Sequence, residues 1–281
     1  SQATVLHQFA SPVNAVVFSP DCRWLAAVAG RPSSMEDTAR LWELSADGQP
    51  GPGLPLRGHF GQVRAAAFSP EGNWLATAGA DRTVRLWNLR SNFPSAEQIV
   101  LHGHENQAAA VAFACNGRWL ASASYDGTVR LWNLRQPDPG ANPLVLYGHN
   151  GWVDVLEASP DGRYLASGGY DRTVRVWDFH AANPNNSCLA LSGHTARIRK
   201  IVFLDAGRRL ATASDDRTVR VWELSAASPS AQSLVLRGNR GPVVSICAAN
   251  NGRSLLTCSP DLAAAGKAAV RDMQAGEQVD V

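Results

Sequence analysis

Short apolar runs alternate with turn-forming residues along most of the chain. One such stretch reads VRAAAFSP at 63–70 and continues, after a turn, as NWLATAGA at 73–80. Turns at such close intervals leave room for strands of about five residues but not for helices. A further apolar run, such as IVLHGH at 99–104 or LVLYGH at 144–149, ends at a histidine. The pattern therefore predicts an all-β chain of short strands joined by tight turns.

The same pattern returns every 45 residues. The heptad DRTVRLW at 81–87 recurs as DGTVRLW at 126–132 and as DRTVRVW at 171–177 and 216–222. Each period leaves room for four strands, which is typical of one blade of a β-propeller. The predicted units span residues 10–54, 55–99, 100–144, 145–189, 190–234 and 235–281.

The pairs RGH…WNL, HGH…WNL, YGH…WDF and SGH…WEL mark the inner units. On these motifs the chain resembles the WD-repeat β-propeller family over nearly its whole length, in the style of bacterial domains of larger signalling proteins. The resemblance implies a single β-propeller domain over 1–281, and a count of its units predicts six blades, with seven as the alternative.

The outer units depart from the family pattern. Phe9 stands at the histidine position of the first unit, Asn239 stands there in the sixth, and Arg271 replaces the sixth tryptophan. The run TVLHQF at 4–9 matches IVLHGH but has no blade before it, so residues 1–9 are predicted to supply the outer strand that closes the last blade. GEQVDV at 276–281 competes for that position. RPSSMED at 31–37 is expected to lengthen a hairpin of the first unit.

Each inner unit also contains a histidine, a hydroxyl residue, an aspartate and a tryptophan. The sets are His59, Thr77, Asp81 and Trp87; His104, Ser122, Asp126 and Trp132; His149, Ser167, Asp171 and Trp177; and His194, Thr212, Asp216 and Trp222.

Two interpretations of these sets compete. Serine, histidine and aspartate form nucleophilic triads, so a hydrolase that uses His104, Ser122 and Asp126 is one alternative. The resemblance to the WD-repeat family instead implies a structural hydrogen-bond network from aspartate to the indole. A nucleophile needs an exposed hydroxyl and an oxyanion hole, and four copies suit one catalytic centre poorly. We therefore predict that the sets are structural and that no residue is catalytic.

Functional residues are then expected where the units differ. The loop after each histidine and the turn before each aspartate open on one end of a propeller, which in the WD-repeat family is the usual site for partners. Aromatic residues and arginine are enriched at interface hot spots. The predicted partner-binding residues are Phe60, Gln62, Gln107, Tyr125, Trp152, Tyr170, Arg197 and Asp215. Tyr125, Trp152, Tyr170 and Arg197 are expected to share a rim, unless these aromatics only pack against their own loops.

Composition narrows the function further. A net charge of +2 makes a nucleic-acid partner unlikely, although an RNA- or DNA-binding propeller remains an alternative. Five cysteines without a C-x-x-C pair argue against a disulfide framework or a metal site and favour a reducing, cytoplasmic location. No apolar run is long enough to span a membrane, and no phosphate-binding motif indicates a cofactor. The arginine two residues before each tryptophan is expected on a solvated flank.

Together these features predict a non-catalytic scaffold or sensor that binds a protein or peptide. Because the chain begins with Ser1, we also expect further domains on the same polypeptide.

Overall fold

The computed structural model describes residues 5–31, 38–91, 97–181, 183–249, 254–261, 264–272 and 278–280. The chain forms two compact units, residues 1–145 and 146–281. The single domain expected over 1–281 stays a prediction. Residues 32–37 of the expected hairpin extension and the side chain of Arg271 lie outside the described part.

The described strands form six antiparallel sheets of four strands, each built from consecutive strands of the chain. The first sheet contains β1 (Val13–Phe18), β2 (Trp24–Ala29), β3 (Ala39–Glu43) and β4 (Leu54–Pro55). The second contains β5 (Val63–Phe68), β6 (Trp74–Gly79), β7 (Val84–Asn88) and β8 (Gln98–Leu101). The third contains β9 (Ala108–Ala114), β10 (Trp119–Ser124), β11 (Val129–Asn133) and β12 (Leu144–Leu146).

The remaining sheets follow the same plan. The fourth contains β13 (Val153–Ala158), β14 (Tyr164–Gly169), β15 (Val174–Asp178) and β16 (Leu189–Leu191). The fifth contains β17 (Ile198–Leu204), β18 (Arg209–Ser214), β19 (Val219–Glu223) and β20 (Leu234–Leu236). The sixth contains β21 (Ser245–Ala249), β22 (Ser254–Asp261), β23 (Ala264–Asp272) and β24 (Gln278–Asp280). Two short 3-10 helices, Pro184–Ser187 and Asp205–Gly207, lie in connections.

The predicted fold class is confirmed: the chain is all-β and consists of the four-stranded antiparallel sheets of a β-propeller. The number of blades stays a prediction. The apolar run before each histidine is the fourth strand of the preceding sheet, as β8 before His104 illustrates. Each sheet therefore ends after that strand, whereas the predicted boundary at 99/100 falls inside β8.

Buried apolar side chains hold neighbouring sheets of the first unit together. Leu75 and Trp87 of the second sheet are fully buried and belong to one cluster with Trp24 and Leu41 of the first sheet. The second strand of the second sheet contains the small residues Ala76 and Ala78, which are 0% exposed. Such small residues let the sheets approach each other closely, so the large indole can fill the space between them.

A β-bulge interrupts the start of the first strand in each of the first five sheets. The pairing with the second strand shifts across one extra residue, which is Asn14, Arg64, Ala109, Asp154 or Arg199 in successive sheets. A bulge re-aims the side chain of its extra residue and bends the strand end. Three of these five side chains are charged, so the bulge places charge at the end of the sheet next to the histidine loop.

The outer strand of the sixth sheet differs from the main expectation. β24 pairs antiparallel with β23, so Gln278–Asp280 occupies the fourth position. Val5 to Phe9 belong to no strand, and Phe9 instead packs on Leu25, Ala27 and Trp42. The position predicted for 4–9 is thus taken by its competitor at 276–281. Pairing β24 with the strand just before it closes a short loop, which costs little chain entropy.

Candidate functional site

The second sheet shows how a polar set is assembled. His59 lies in the loop before β5, Thr77 in β6, Asp81 in the turn after β6, and Trp87 in β7. His59 Nδ1 is 3.0 Å from Asp81 Oδ2, and His59 Nε2 is 2.8 Å from Thr77 Oγ1. The same hydroxyl oxygen accepts a hydrogen bond of 2.9 Å from Trp87 Nε1. One continuous chain of contacts therefore runs from the turn to the indole.

The third, fourth and fifth sheets repeat this geometry. The aspartate–histidine distance is 2.9, 2.7 and 2.7 Å, and the histidine–hydroxyl distance is 2.8, 2.8 and 2.9 Å. The indole nitrogen donates to the hydroxyl at 2.9, 3.0 and 2.8 Å. The sets joined in this way are His104, Ser122, Asp126 and Trp132; His149, Ser167, Asp171 and Trp177; and His194, Thr212, Asp216 and Trp222.

The direction of each hydrogen bond follows from the chemistry of the groups. An indole N–H can only donate, so the hydroxyl oxygen of Thr77 accepts from Trp87. The Asp81 carboxylate can only accept, and burial favours the neutral imidazole of His59, so Nε2 is unprotonated and accepts from the Thr77 hydroxyl. The proton of the neutral imidazole is on Nδ1 and is donated to Asp81. Each polar side-chain atom of this set has a hydrogen-bond partner, as burial requires.

The same three contacts also describe a nucleophilic triad, so access decides between the two interpretations. Ser122 donates to His104, and His104 donates to Asp126, as in a serine hydrolase. However, Ser122 is 0% exposed, and its oxygen also accepts from Trp132. A substrate carbonyl has no approach to an oxygen in this position. The four sets are therefore arranged as internal contacts of the fold.

Burial and hydrogen bonding act in opposite directions on the titratable members. Burial lowers the pKa of His59, and the hydrogen bond with Asp81 partly opposes that effect. Burial raises the pKa of Asp171, but the hydrogen bonds from His149, Thr173 and Asn150 outweigh it and lower the pKa to about 2. For the same reasons the pKa values of Asp81, Asp126 and Asp216 lie well below the ordinary value.

Each aspartate also fixes the backbone of the loop after the histidine. The backbone N–H of Phe60 donates to Asp81 at 3.0 Å, and the N–H groups of Glu105, Asn150 and Thr195 make the matching bonds at 3.0, 3.1 and 3.0 Å. Structural and variable positions are thus directly connected: a buried carboxylate sets the path of the backbone from which the variable side chains project.

The threonine at the third position of each heptad also belongs to the network, although the sets predicted from the sequence omit it. Thr83, Thr128 and Thr218 donate their hydroxyls to the aspartate two residues earlier at 2.8, 2.7 and 2.6 Å. In the fourth sheet, Thr173 Oγ1 lies 3.4 Å from His149 Nδ1. The recurrence of threonine in all four heptads was the available signal, but strand propensity alone explains it equally well.

The two variable segments of each sheet are joined to each other. The residue before the aspartate donates its backbone N–H to the carbonyl of the third residue after the histidine. These bonds are Ala80 to Gln62, Tyr125 to Gln107, Tyr170 to Trp152 and Asp215 to Arg197, at 2.8, 3.0, 2.9 and 3.0 Å. The predicted partner-binding residues of one sheet therefore lie side by side.

In the second unit, three of the predicted residues form one cluster. The rings of Trp152 and Tyr170 meet edge to face with their centroids 4.9 Å apart. The guanidinium carbon of Arg197 lies 4.2 Å from the Tyr170 ring centroid, and Nη1 donates to the Tyr170 hydroxyl at 2.8 Å. Arg197 also forms an ion pair with Asp154, the bulge residue of β13. Trp152 and Tyr170 remain 45% and 43% exposed.

In the first unit a different arginine gathers the predicted residues. Arg64, the bulge residue of β5, donates to Gln107 Oε1 at 2.9 Å and to the Tyr125 hydroxyl at 3.0 Å. Gln62 instead donates to Asn14, the bulge residue of β1, and the Phe60 side chain is 60% exposed. The expected grouping of Tyr125 with Trp152, Tyr170 and Arg197 stays a prediction.

Asp215 of the second unit forms an ion pair with Arg199 at 2.6 Å. The contacts that sequence reasoning missed therefore centre on the bulge residues. Asn14, Arg64, Asp154 and Arg199 each bond to a residue of a histidine loop or of the turn before an aspartate. One extra residue in a strand leaves only a weak signal in the sequence. The available signal was the polar residue at positions 64, 154 and 199.

The recurring arginines are less solvated than expected. The set is Arg40, Arg85, Arg130, Arg175 and Arg220, and each side chain is half-buried. In the third sheet the guanidinium covers Gly103, where φ is +144° and a Cβ atom would lie 2.9 Å from Arg130 Nη1. Arg175 donates to the carbonyl of the matching Gly148 at 2.6 Å. Arg85, Arg130, Arg175 and Arg220 thus each lie against the glycine before a histidine, whereas Arg40 donates to the carbonyl of Gly53.

The part of the chain that the structure describes also bears on metal binding, disulfides and membrane insertion. No group of three or more histidine, cysteine, aspartate or glutamate side chains is placed to hold a metal ion there. No disulfide joins the cysteines within the described residues. No described helix combines the length and apolar character needed to cross a bilayer.

Comparisons with known proteins agree with the repeat geometry. The family model described as "WD domain, G-beta repeat" matches residues 2–43, 52–88, 96–133, 141–178 and 185–223, which together exceed half of the chain. The chain is also similar to the target of rapamycin complex subunit wat1 of Schizosaccharomyces pombe, with 40% identity over 73 residues. The matched segment is 26% of this chain and 21% of the relative, so it spans about a fifth of that protein.

Proposed function

The chain belongs to the WD domain, G-beta repeat family, and from this premise we propose that it is a non-catalytic scaffold that binds a protein or peptide partner. The family membership supports a protein-interaction role. The matched relative is named as a subunit of a complex, which favours a comparable place for this chain within an assembly. In this proposal the chain works beside further domains of a signalling protein in the cytoplasm.

The proposed binding surface of the second unit is the Trp152 cluster, defined as Trp152, Tyr170, Arg197 and Asp154. The main observation is that two large aromatic side chains stay almost half exposed while their positions are fixed by ring and guanidinium contacts. Rigid aromatic residues supply contact area at low entropic cost, and such residues dominate interface energetics. Packing alone would favour their burial.

Other observations weigh against the two alternative functions. A hydrolase would need access to Ser122, which is fully buried. A nucleic-acid surface beside the histidine loops would need basic residues that can turn to phosphates, but Arg64, Arg197 and Arg199 there are bonded to neighbouring side chains. The net charge of +2 points the same way.

Selection from a random peptide library displayed on phage tests the proposal with the whole chain as bait. Selected peptides are then synthesised, and their affinity is measured by isothermal titration calorimetry. We expect Trp152→Ala and Tyr170→Ala to weaken binding at least about tenfold, because loss of a hot-spot aromatic residue costs about 2 kcal/mol or more.

Tyr147→Ala is the matched control, because Tyr147 is a 66% exposed tyrosine outside the cluster. Urea unfolding of each variant separates lost binding from lost folding. The assignment fails if no peptide is enriched, or if the selected peptides bind Trp152→Ala as tightly as they bind Tyr147→Ala.

A further inference from the structure

An arginine and a carboxylate meet at the end of the third strand in two of the sheets. In the first sheet, Arg23 Nη2 lies 2.7 Å from Glu43 Oε1, and in the fourth, Arg163 Nη2 lies 2.9 Å from Asp178 Oδ2. The two pairs occupy matching positions, because the residue after each arginine pairs across the strands with the carboxylate residue. The carboxylate therefore neutralises the arginine locally in both sheets.

The third sheet keeps the arginine but lacks the carboxylate. Arg118 occupies the arginine position, and Trp119 after it pairs with Asn133, where the fourth sheet has Asp178. Asn88 makes the same replacement in the second sheet. Both asparagines belong to the sequence WNLR, so each is followed two residues later by a further arginine, Arg90 or Arg135. Both sheet ends thus lack the carboxylate, and the third sheet carries two arginines, Arg118 and Arg135.

The surplus bases surround one concavity. A groove of about 400 Å³ in the first unit is lined by residues of the second and third sheets, among them Arg90, Arg118 and Arg135. All three side chains are exposed, and within the described residues none forms an ion pair. Glu71 is the one carboxylate in the lining. Asn73 and Asn88 add amide groups that can donate hydrogen bonds.

We propose that this groove, the Arg118 groove, binds an acidic peptide segment of a protein partner through carboxylate or phosphate groups. A guanidinium fork matches both oxyanions in a bidentate manner, and three forks around one concavity can hold more than one anionic group. The lining of the groove contains no pair of large exposed aromatic rings. In this proposal the groove recognises charged groups, whereas the Trp152 cluster recognises its partner through aromatic contacts. This site is independent of the Trp152 cluster, and either site can fail without the other.

A peptide fits these observations better than a nucleic acid does. A volume of about 400 Å³ accommodates a few side chains rather than a length of polynucleotide. Nucleic-acid binders neutralise many phosphates along a basic stripe, whereas this groove is a local charge cluster that also contains Glu71.

Fluorescence anisotropy with the complete chain tests the proposal. The probes are a short fluorescein-labelled peptide of alternating glutamate and serine, the same peptide with phosphorylated serines, and a version with glutamine in place of glutamate. We expect the two anionic probes to bind and the glutamine version not to bind, with affinity falling as salt is raised. The ratio between the two anionic probes shows whether carboxylate or phosphate is preferred.

Asn133→Asp is the decisive variant, because it restores the residue type that the fourth sheet uses. The new carboxylate should pair with Arg118 as Asp178 pairs with Arg163, and it can still accept from the backbone N–H of Arg135, as Asn133 does. We expect Asn133→Asp and Arg118→Gln each to weaken binding about tenfold, which corresponds to loss of one charge-assisted hydrogen bond.

Arg163→Gln is the matched control, because that arginine is already paired, and it should leave affinity unchanged. Equal binding by the wild type and Asn133→Asp, or no preference for the anionic probes over the glutamine probe, would overturn the proposal. Tighter binding of a single-stranded RNA oligonucleotide than of either anionic peptide would also overturn it.

Discussion

In the second sheet, the indole of Trp87 donates a hydrogen bond to Thr77, and the chain of contacts continues to a buried histidine and an aspartate. In the first sheet, Trp42 is also buried, but it packs with Ala27 and Phe9. Phe9 stands at the histidine position, and Ala27 stands where the hydroxyl residue stands in the later sheets. One unit of the molecule therefore contains a polar and an apolar version of the same contact.

The difference separates what the network does from what makes a sheet. Both versions form four antiparallel strands, so the polar contacts are not needed for strand pairing. The network instead adds directional bonds and anchors the backbone of the histidine loop through Asp81. It also adds a vulnerability, because loss of one buried partner leaves the others unsatisfied, whereas replacing both partners by apolar groups can be nearly neutral. The apolar version has no such dependence.

We expect the largest effect from acid, because a low pH protonates the aspartates of the polar sets in all four sheets. The folded-state pKa of Asp171 is about 2, compared with an ordinary value of 3.8, and the other three aspartates are lowered as well. The folded chain thus binds fewer protons than the unfolded chain. The stabilisation is complete above about pH 4 and is lost as the pH falls toward 2.

Urea unfolding followed by tryptophan fluorescence between these pH values measures this loss. Asp171→Asn should reduce the slope of unfolding free energy against pH, because one linked group is removed. Identical slopes for the wild type and the variant would contradict the assignment of low pKa values to the network.

Removing one carboxylate breaks a single polar set and is the next largest effect. Asp126→Asn takes the acceptor charge from His104, the Glu105 amide and Thr128. We expect a loss of about 2–4 kcal/mol in unfolding free energy, because a largely buried hydrogen-bonded charge is removed while its partners stay. The control is Asp21→Asn, an exposed turn carboxylate, for which less than about 1 kcal/mol is expected. Similar losses for both variants would show that burial of the set contributes little.

Converting the third sheet to the apolar version gives the smallest but most specific effect. His104→Phe with Ser122→Ala reproduces the residue types of Phe9 and Ala27. The double variant should lose less stability than the sum of the single variants, by about 1 kcal/mol, since each single change leaves a partner unsatisfied. His104→Phe with Thr212→Ala, which are in different sets, should be additive. Additivity in both pairs would mean that histidine and serine are not coupled.

Periodicity made the fold and the polar sets predictable from sequence. Four copies of one heptad at a fixed spacing place the same side chains in the same environment, so a chemical argument made for one copy holds for each. The resemblance to the WD-repeat family implied that the indole donor, the bridging hydroxyl and the carboxylate form one network, and the structure places them within hydrogen-bond distance.

What differs between copies was harder to predict. The bulge that turns Arg64 and Asp154 toward the histidine loops is a property of backbone pairing, which side-chain spacing does not encode. The role of Thr83 stayed hidden because strand propensity already accounted for threonine. Two runs of similar pattern, at opposite ends of the chain, were candidates for the outer strand of the sixth sheet. Their local patterns alone do not distinguish them.

The candidate sites show the same limit. Aromatic residues after a histidine identified Trp152, but only coordinates show that Arg197 holds Tyr170 against it. The Arg118 groove was not found from sequence, because Arg118 and Asn133 are each unremarkable alone. Their significance appears only when strand register shows that the carboxylate opposite the arginine in other sheets is missing.

The backbone bond between each histidine loop and its aspartate has a consequence for how such a protein can evolve. Phenylalanine, glutamate, asparagine and threonine occupy the same loop position, at 60, 105, 150 and 195, and all donate the identical amide hydrogen to the carboxylate. Because the anchor uses main-chain atoms alone, mutation is free to exchange the side chain without loosening the loop. New specificities can thus be sampled on a surface whose shape is inherited unchanged.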